Sequence, residues 1–389
     1  MRTSRKVLVA LGAAVVAPSA AAYRFAIEYR RRAGLPARRP PLETPEAYDL
    51  PFEIVAVQSD AGLLPGWFVP GPGGRPAPAV VLVHGWESNR ARMLPNARFL
   101  RAAGFASLLF DVRGHGDNPS ETLPISAAEF GADARAAVEL AAARPDVTAV
   151  AVLGHSMGAI GAAIAAADDP RIAALVMTAA PADPRRLTRR TFQLAGLTMP
   201  GLIAQPLAAL TTRVYLRPRG HAPSAVSATA AVRRYPGPIL IVHGEQDEVV
   251  GADNAVRLDR AARGVAGREV ELLILPEGRH RWLYEDPAYR GRIAAFLARN
   301  LAGAAEPDRA AARAVAARVR RPPDTDGPLS ALERPAAPAP TPLGRDGALS
   351  DVALSDGTLS NAALNDAARP VAALDDPAGA HNDTDRIRS

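Results

Sequence analysis

Gly154-His155-Ser156-Met157-Gly158 sets a serine between two glycines, directly after the apolar run Ala149 to Leu153 and just before an alanine-rich stretch, Ala159 to Ala167. A serine on a sharp turn from strand to helix has a strained backbone that lifts its hydroxyl above the end of a sheet. The glycines keep side chains from colliding with the neighbouring strand and helix. The chemistry this prepares is nucleophilic attack. A hydroxyl is a poor nucleophile at neutral pH, so it requires a base within hydrogen-bond reach, and the base requires a carboxylate to orient it.

On folds that carry such an elbow the chain order is serine, then acid, then histidine. The histidines are His84, His115, His155, His221, His243, His280 and His381. Only His280 and His381 follow the acids that come late in the chain, and His381 falls in a stretch poor in large apolar residues, which leaves His280 as the base. It follows the strand pattern Glu271 to Leu275, in the loop Pro276-Glu277-Gly278-Arg279-His280. The acid is expected on the exit loop of the preceding strand, Pro238 to Gly244, a buried-strand pattern closed by glycine. Asp247 is the first choice; Glu245 and Glu248 beside it, and Asp183 after the earlier strand Ala173 to Thr178, are the alternatives. An oxyanion hole needs two backbone N–H groups. One is expected from Met157, at the start of the helix after the serine, and one from Trp86, in the turn His84-Gly85-Trp86 after the strand Ala79 to Val83.

With these residues in place the chain resembles the α/β-hydrolase superfamily, in particular the bacterial serine hydrolases grouped with serine aminopeptidases and monoacylglycerol lipases. The resemblance rests on His84-Gly85-Trp86, Asp111-Val112-Arg113-Gly114-His115-Gly116, the elbow, His243-Gly244-Glu245-Gln246-Asp247 and His280, and covers roughly Phe52 to Leu301. It implies an α/β fold with a mostly parallel central sheet and helices on both faces, and it makes Asp111, Arg113 and His115 structural residues bracing the floor of the site. Relatives commonly carry a serine soon after that turn, whereas here the run is Asp117-Asn118-Pro119-Ser120.

Almost sixty residues, about 181–237, separate two of the strands, far more than a loop and one helix need. They are expected to form a small cap of two amphipathic helices over the strand ends, with Arg185, Arg186, Arg189 and Arg190 on its solvated surface or, as the alternative, attracting an anionic substrate or lipid headgroup. The implied activity is hydrolysis of a small-molecule carboxylic ester, amide or thioester through an acyl-enzyme, without cofactor or metal. Acyl transfer to another acceptor, or a membrane-tethered inactive scaffold, are the alternatives.

The chain has 389 residues, no cysteine and a net charge of +6, but residues 1–40 carry +8 and residues 41–300 only +1. A nearly neutral core has no electrostatic footprint for nucleic acid, and without cysteine there are neither disulfides nor thiolate zinc sites. Arg2, Arg5 and Lys6 precede an apolar run from Val7 to Ala17 and a small-residue stretch, Ala20 to Ala22, the outline of a signal peptide or a membrane anchor over 1–23. Export or membrane attachment is expected, but both flanks are basic, so charge does not orient the segment. A linker over 24–50, a hydrolase domain over 51–302 and a disordered tail over 303–389 complete the expected organisation. Leucines recur every five residues from Leu349 to Leu364 within that tail, too few turns to bury a core. Nothing in the sequence fixes an oligomeric state.

Overall fold

The computed structural model describes residues 2–323. The leucine recurrence, His381 and most of the expected tail lie outside the described residues. In chain order the elements are α1 (Arg2–Ala33), β1 (Glu53–Ser59), β2 (Gly62–Val69), β3 (Ala77–Val83), α2 (Leu94–Ala103), β4 (Ala106–Phe110), α3 (Ala127–Ala142), β5 (Val147–His155) and α4 (Met157–Asp168). They continue with β6 (Ile172–Thr178), α5 (Pro184–Leu194), α6 (Gly201–Leu216), α7 (Ala228–Arg234), β7 (Ile239–Gly244), α8 (Asp253–Arg263), β8 (Val270–Leu275), α9 (Pro287–Asn300) and α10 (Pro307–Ala316).

The eight strands form one sheet in the order β1-β2-β4-β3-β5-β6-β7-β8, antiparallel at β1–β2 and β2–β4 and parallel elsewhere. Every residue of β3 is buried, as a strand covered on both faces requires. Alternation along it sorts the core into two layers. Ala79, Val81 and Val83 pack with α3, α4, α7 and α8, while Val80 and Leu82 pack with α2, α9 and α10. The strand order reverses between β3 and β5, so the crevice at their C-terminal ends is where a ligand is expected in such a sheet.

Two boundaries differ from the sequence expectation. Residues 24–33, expected to begin a linker, belong to α1, whose last turns pack on α6. Ala26 is fully buried, and the spacing of Phe25, Ala26, Tyr29 and Ala33 puts them on one helical face. At the other end, α10 extends the packed unit past residue 302. It buries Ala310 and Ala314, and the buried guanidinium of Arg290 donates to the carbonyls of Ala314 (3.2 Å) and Val315 (3.1 Å), satisfying acceptors that a helix end leaves open. Among the described residues no helix is long and apolar enough to cross a membrane.

Candidate active site

Ser156 stands between β5 and α4 with φ 55° and ψ −119°, a left-handed conformation that costs a non-glycine residue energy. Its N–H donates to Thr178 O at 2.9 Å, fixing the turn against β6. Both flanking glycines are sterically required. A Cβ on Gly154 would lie 2.2 Å from Gly158 O, and one on Gly158 would lie 2.2 Å from His84 O and 2.3 Å from Val83 O. Those obstacles are backbone and cannot swing away. Gly158→Ala is therefore expected to force α4 off β3, with a loss of at least 1–3 kcal/mol of stability and loss of activity; an unchanged urea midpoint would contradict this packing.

The loops leaving β7 and β8 are locked together. A Cβ on Gly244 would fall 2.2 Å from Gly278 O, and Gln246 N–H donates to Gly278 O at 2.9 Å. This contact turns Asp247 inward and leaves Glu245 and Glu248 exposed. Asp247 Oδ1 accepts from Val249 N (2.9 Å) and Val250 N (2.7 Å), and its Oδ2 accepts from His280 Nδ1 at 2.8 Å. His280 Nε2 lies 3.1 Å from Ser156 Oγ. The structure thus brings Ser156, His280 and Asp247 into one hydrogen-bonded line. Asp183 is elsewhere: it caps α5, accepting from Arg185 N at 2.9 Å and Arg186 N at 3.3 Å.

Burial opposes the charged form of Asp247, but its interactions with the facing His280 and His243 rings outweigh it and hold the carboxyl well below the usual range. His243, which the sequence reading left without a role, supplies the second imidazole, with Nε2 3.2 Å from Asp247 Oδ2 and 2.7 Å from Val250 O.

Met157 is the first residue of α4, where a backbone N–H has no partner inside the helix. Gly85 lies against the serine, since a Cβ there would be 3.3 Å from Ser156 Cβ. That contact carries the turn bearing Trp86 to the same spot. The Trp86 indole packs edge-on against His115 at 5.3 Å. Among the described residues no group of three or more His, Asp or Glu side chains is placed to hold a metal ion.

Beneath the site, His84 Nδ1–H donates to Gly85 O (2.8 Å) and its Nε2 accepts from Val112 N (3.0 Å), an assignment that fits one neutral tautomer. Burial, then the nearby His115, lowers it to about 3. Burial likewise lowers His115 to about 4. Asp111 accepts from Arg90 N at 2.7 Å and pairs with its guanidinium. Arg113 Nε donates to fully buried Asp133 at 3.1 Å, and its Nη2 donates to Ser59 Oγ at 3.1 Å. Arg113→Met would strand the Asp133 charge, and a loss of about 3–5 kcal/mol in urea unfolding is expected. Arg113→Met/Asp133→Leu should regain most of it. A single variant as stable as the parent would show that the pair does not brace the floor.

Two cavities meet at Ser156 and Trp86. One, of about 210 Å³, lies between cap and sheet and is mainly apolar, with Ile160, Leu187, Leu194 and Val226 in its walls. The other, about 110 Å³, lies on the His280 side and includes Arg92, Arg281, Trp282 and Tyr284. The cap consists of α5 and α6; Arg185, Arg186 and Arg189 lie on the side of α5 away from Ser156, and Arg190 reaches the cavity wall with its Nε on Val249 O at 3.3 Å. Tyr29 and Ala33 of α1 also line the larger cavity, which the sequence reading missed. Their signal was the helical spacing of Phe25, Ala26, Tyr29 and Ala33, hidden among arginines.

Residues 80–290 match the alpha/beta hydrolase family, and the chain belongs to that family. An uncharacterised protein of Mycobacterium tuberculosis is 32% identical over 212 residues, 54% of this chain and 66% of that protein, so the chain spans slightly less than two thirds of that relative. Among solved structures, an esterase of Pyrococcus furiosus superposes with a TM-score of 0.56 and 22% identity, over 69% of this chain and 97% of that one. An acylaminoacyl peptidase of Pyrococcus horikoshii does so at 0.50 and 17%, over 67% and 42%. At these identities the likeness is one of fold.

Proposed function

We propose that the protein is a serine hydrolase that cleaves a carboxylic ester through an acyl-enzyme. The observation that carries this reading is the unbroken line from Ser156 Oγ through both ring nitrogens of His280 to Asp247 Oδ2, at 3.1 and 2.8 Å. Ser156 Oγ attacks the carbonyl carbon as His280 Nε2 takes its proton. The tetrahedral oxyanion is stabilised by the N–H groups of Trp86 and Met157, each of which is worth about 2.7–4 kcal/mol in such sites. The C–O bond to the leaving alcohol then breaks as His280 returns the proton to that oxygen. Water, deprotonated by the same imidazole, attacks the acyl-serine, and the carboxylate leaves as Ser156 regains its proton. The apolar cavity suits the acyl group, and the smaller, more polar cleft suits the alcohol.

A fluorophosphonate probe tests the reading, with peptide mapping of the labelled site and turnover of p-nitrophenyl esters. Covalent labelling at Ser156 together with ester turnover is expected. Absence of both would overturn the proposal, and a better yield of transfer to added alcohol than to water would redirect it to acyl transfer.

A further inference from the structure

The helix α1 lies outside the matched residues 80–290, yet its last turns belong to the cavity beside Ser156. Phe25 meets Phe192 edge-on at 5.4 Å, and Tyr29 meets Phe192 at 5.6 Å and Tyr215 at 6.3 Å. The Tyr29 hydroxyl shares a 2.8 Å hydrogen bond with Thr191 Oγ1. The Tyr215 hydroxyl lies within reach of two carbonyls, Ala33 O at 3.2 Å and Ile125 O at 2.6 Å, and Arg30 donates to Val214 O at 3.3 Å. Aromatic pairs and hydrogen bonds of this kind hold one face of α1 on the cap. Tyr29, Thr191 and Tyr215 belong at once to that interface and to the cavity wall.

The hydroxyls of the wall are hydrogen-bonded within the protein. Thr188 Oγ1 has Pro184 O and Thr212 Oγ1 both within reach (3.0 Å each) for its one proton, Thr212 donates to Ala208 O (2.8 Å), and Thr191 donates to Thr188 O (2.7 Å). Ser126 Oγ donates to Glu129 Oε2 at 2.7 Å. A ligand hydroxyl entering here would lose its water partners and meet hydroxyls that are already hydrogen-bonded, whereas a methylene gains by leaving water.

We infer that the cavity takes an unsubstituted aliphatic acyl chain and that α1, through Tyr29 and Ala33, is the wall that limits its length. The inference rests on the reading of Ser156 as the acylated residue, and its test is made independent of turnover. Straight-chain carboxylates from butanoate to hexadecanoate are titrated by calorimetry into Ser156→Ala protein, alone and combined with Tyr29→Ala, Tyr29→Phe or Ala33→Leu. Affinity should rise about fourfold per methylene until the chain meets the wall. Tyr29→Ala should carry that rise to longer chains, Ala33→Leu should end it at shorter ones, and Tyr29→Phe should leave the break where it was. A mere loss of stability would weaken all lengths alike without moving the break in opposite directions. Breaks at the same length in all four proteins would overturn the inference. p-Nitrophenyl esters of the same lengths, given to protein with Ser156 intact, separate the two claims. If the break moves but no ester is cleaved, the hydrolase reading fails and the wall stands; if esters are cleaved but the break does not move, the reverse holds.

Discussion

Ser156→Ala is expected to keep the fold and lose a factor of about 10⁴–10⁶ in turnover of a short-chain p-nitrophenyl ester. The hydroxyl makes one side-chain hydrogen bond, to His280, so its removal takes little from stability. On the proposed mechanism, what it removes is the atom that forms the new bond to the carbonyl carbon. The neighbouring imidazole offers no replacement for the serine–histidine pair. His155 Nδ1 lies 3.1 Å from Thr178 Oγ1, and burial, then the neighbouring His280 ring 5.1 Å away between centroids, holds its ring neutral. On the same mechanism, residual rate over water would come from the proposed Trp86 and Met157 donors and from substrate binding alone. Steady-state kcat and a thermal melt on the same preparation check both halves of the expectation. A folded variant that kept a tenth of the parent's kcat would show that Ser156 is not the nucleophile.

The parts legible in the sequence are those that local pattern dictates. β3 and β5 to β7 carry apolar runs because a parallel strand inside the sheet is covered on both faces, and the glycines of the elbow mark a turn that tolerates no Cβ. The cap was legible as a length anomaly, since no short connection spans 181–237. Long-range contact decided the rest. Glu245, Asp247 and Glu248 share one loop, and only the Gly244–Gly278 approach determines which of them turns toward His280. Asp183 also follows a strand and stands as an alternative acid, but the helix that begins at Pro184 needs its carboxylate as a cap. The last turns of α1, residues 24–33, read as a linker because their arginines mask the face that Phe192 and Tyr215 cover, and both of those residues are more than 160 positions away. α10 is short and falls in the stretch expected as tail, because nothing local reveals that Arg290 reaches its last carbonyls.

Asp247→Asn is expected to lower kcat/KM by about 10⁴ while leaving binding of the substrate nearly unchanged. The parent carboxylate accepts three hydrogen bonds, from Val249 N, Val250 N and His280 Nδ1, has His243 Nε2 at 3.2 Å, and stays ionised because the imidazole interactions outweigh the cost of burial. In the variant the two backbone donors can still be met only by the amide oxygen. The amide nitrogen must then face the two imidazoles as a donor. His280 can accept from it only with Nδ1 unprotonated, which places its proton on Nε2, pointing at Ser156 Oγ. An imidazole in that tautomer cannot take the serine proton, so the first chemical step slows although every heavy atom keeps its place. Asp183→Asn provides the contrast: asparagine caps a helix about as well as aspartate, so both activity and melting temperature should stay close to those of the parent. A damaging Asp183→Asn beside a harmless Asp247→Asn would move the acid to the loop after β6 and leave the 2.8 Å contact between Asp247 and His280 a structural one.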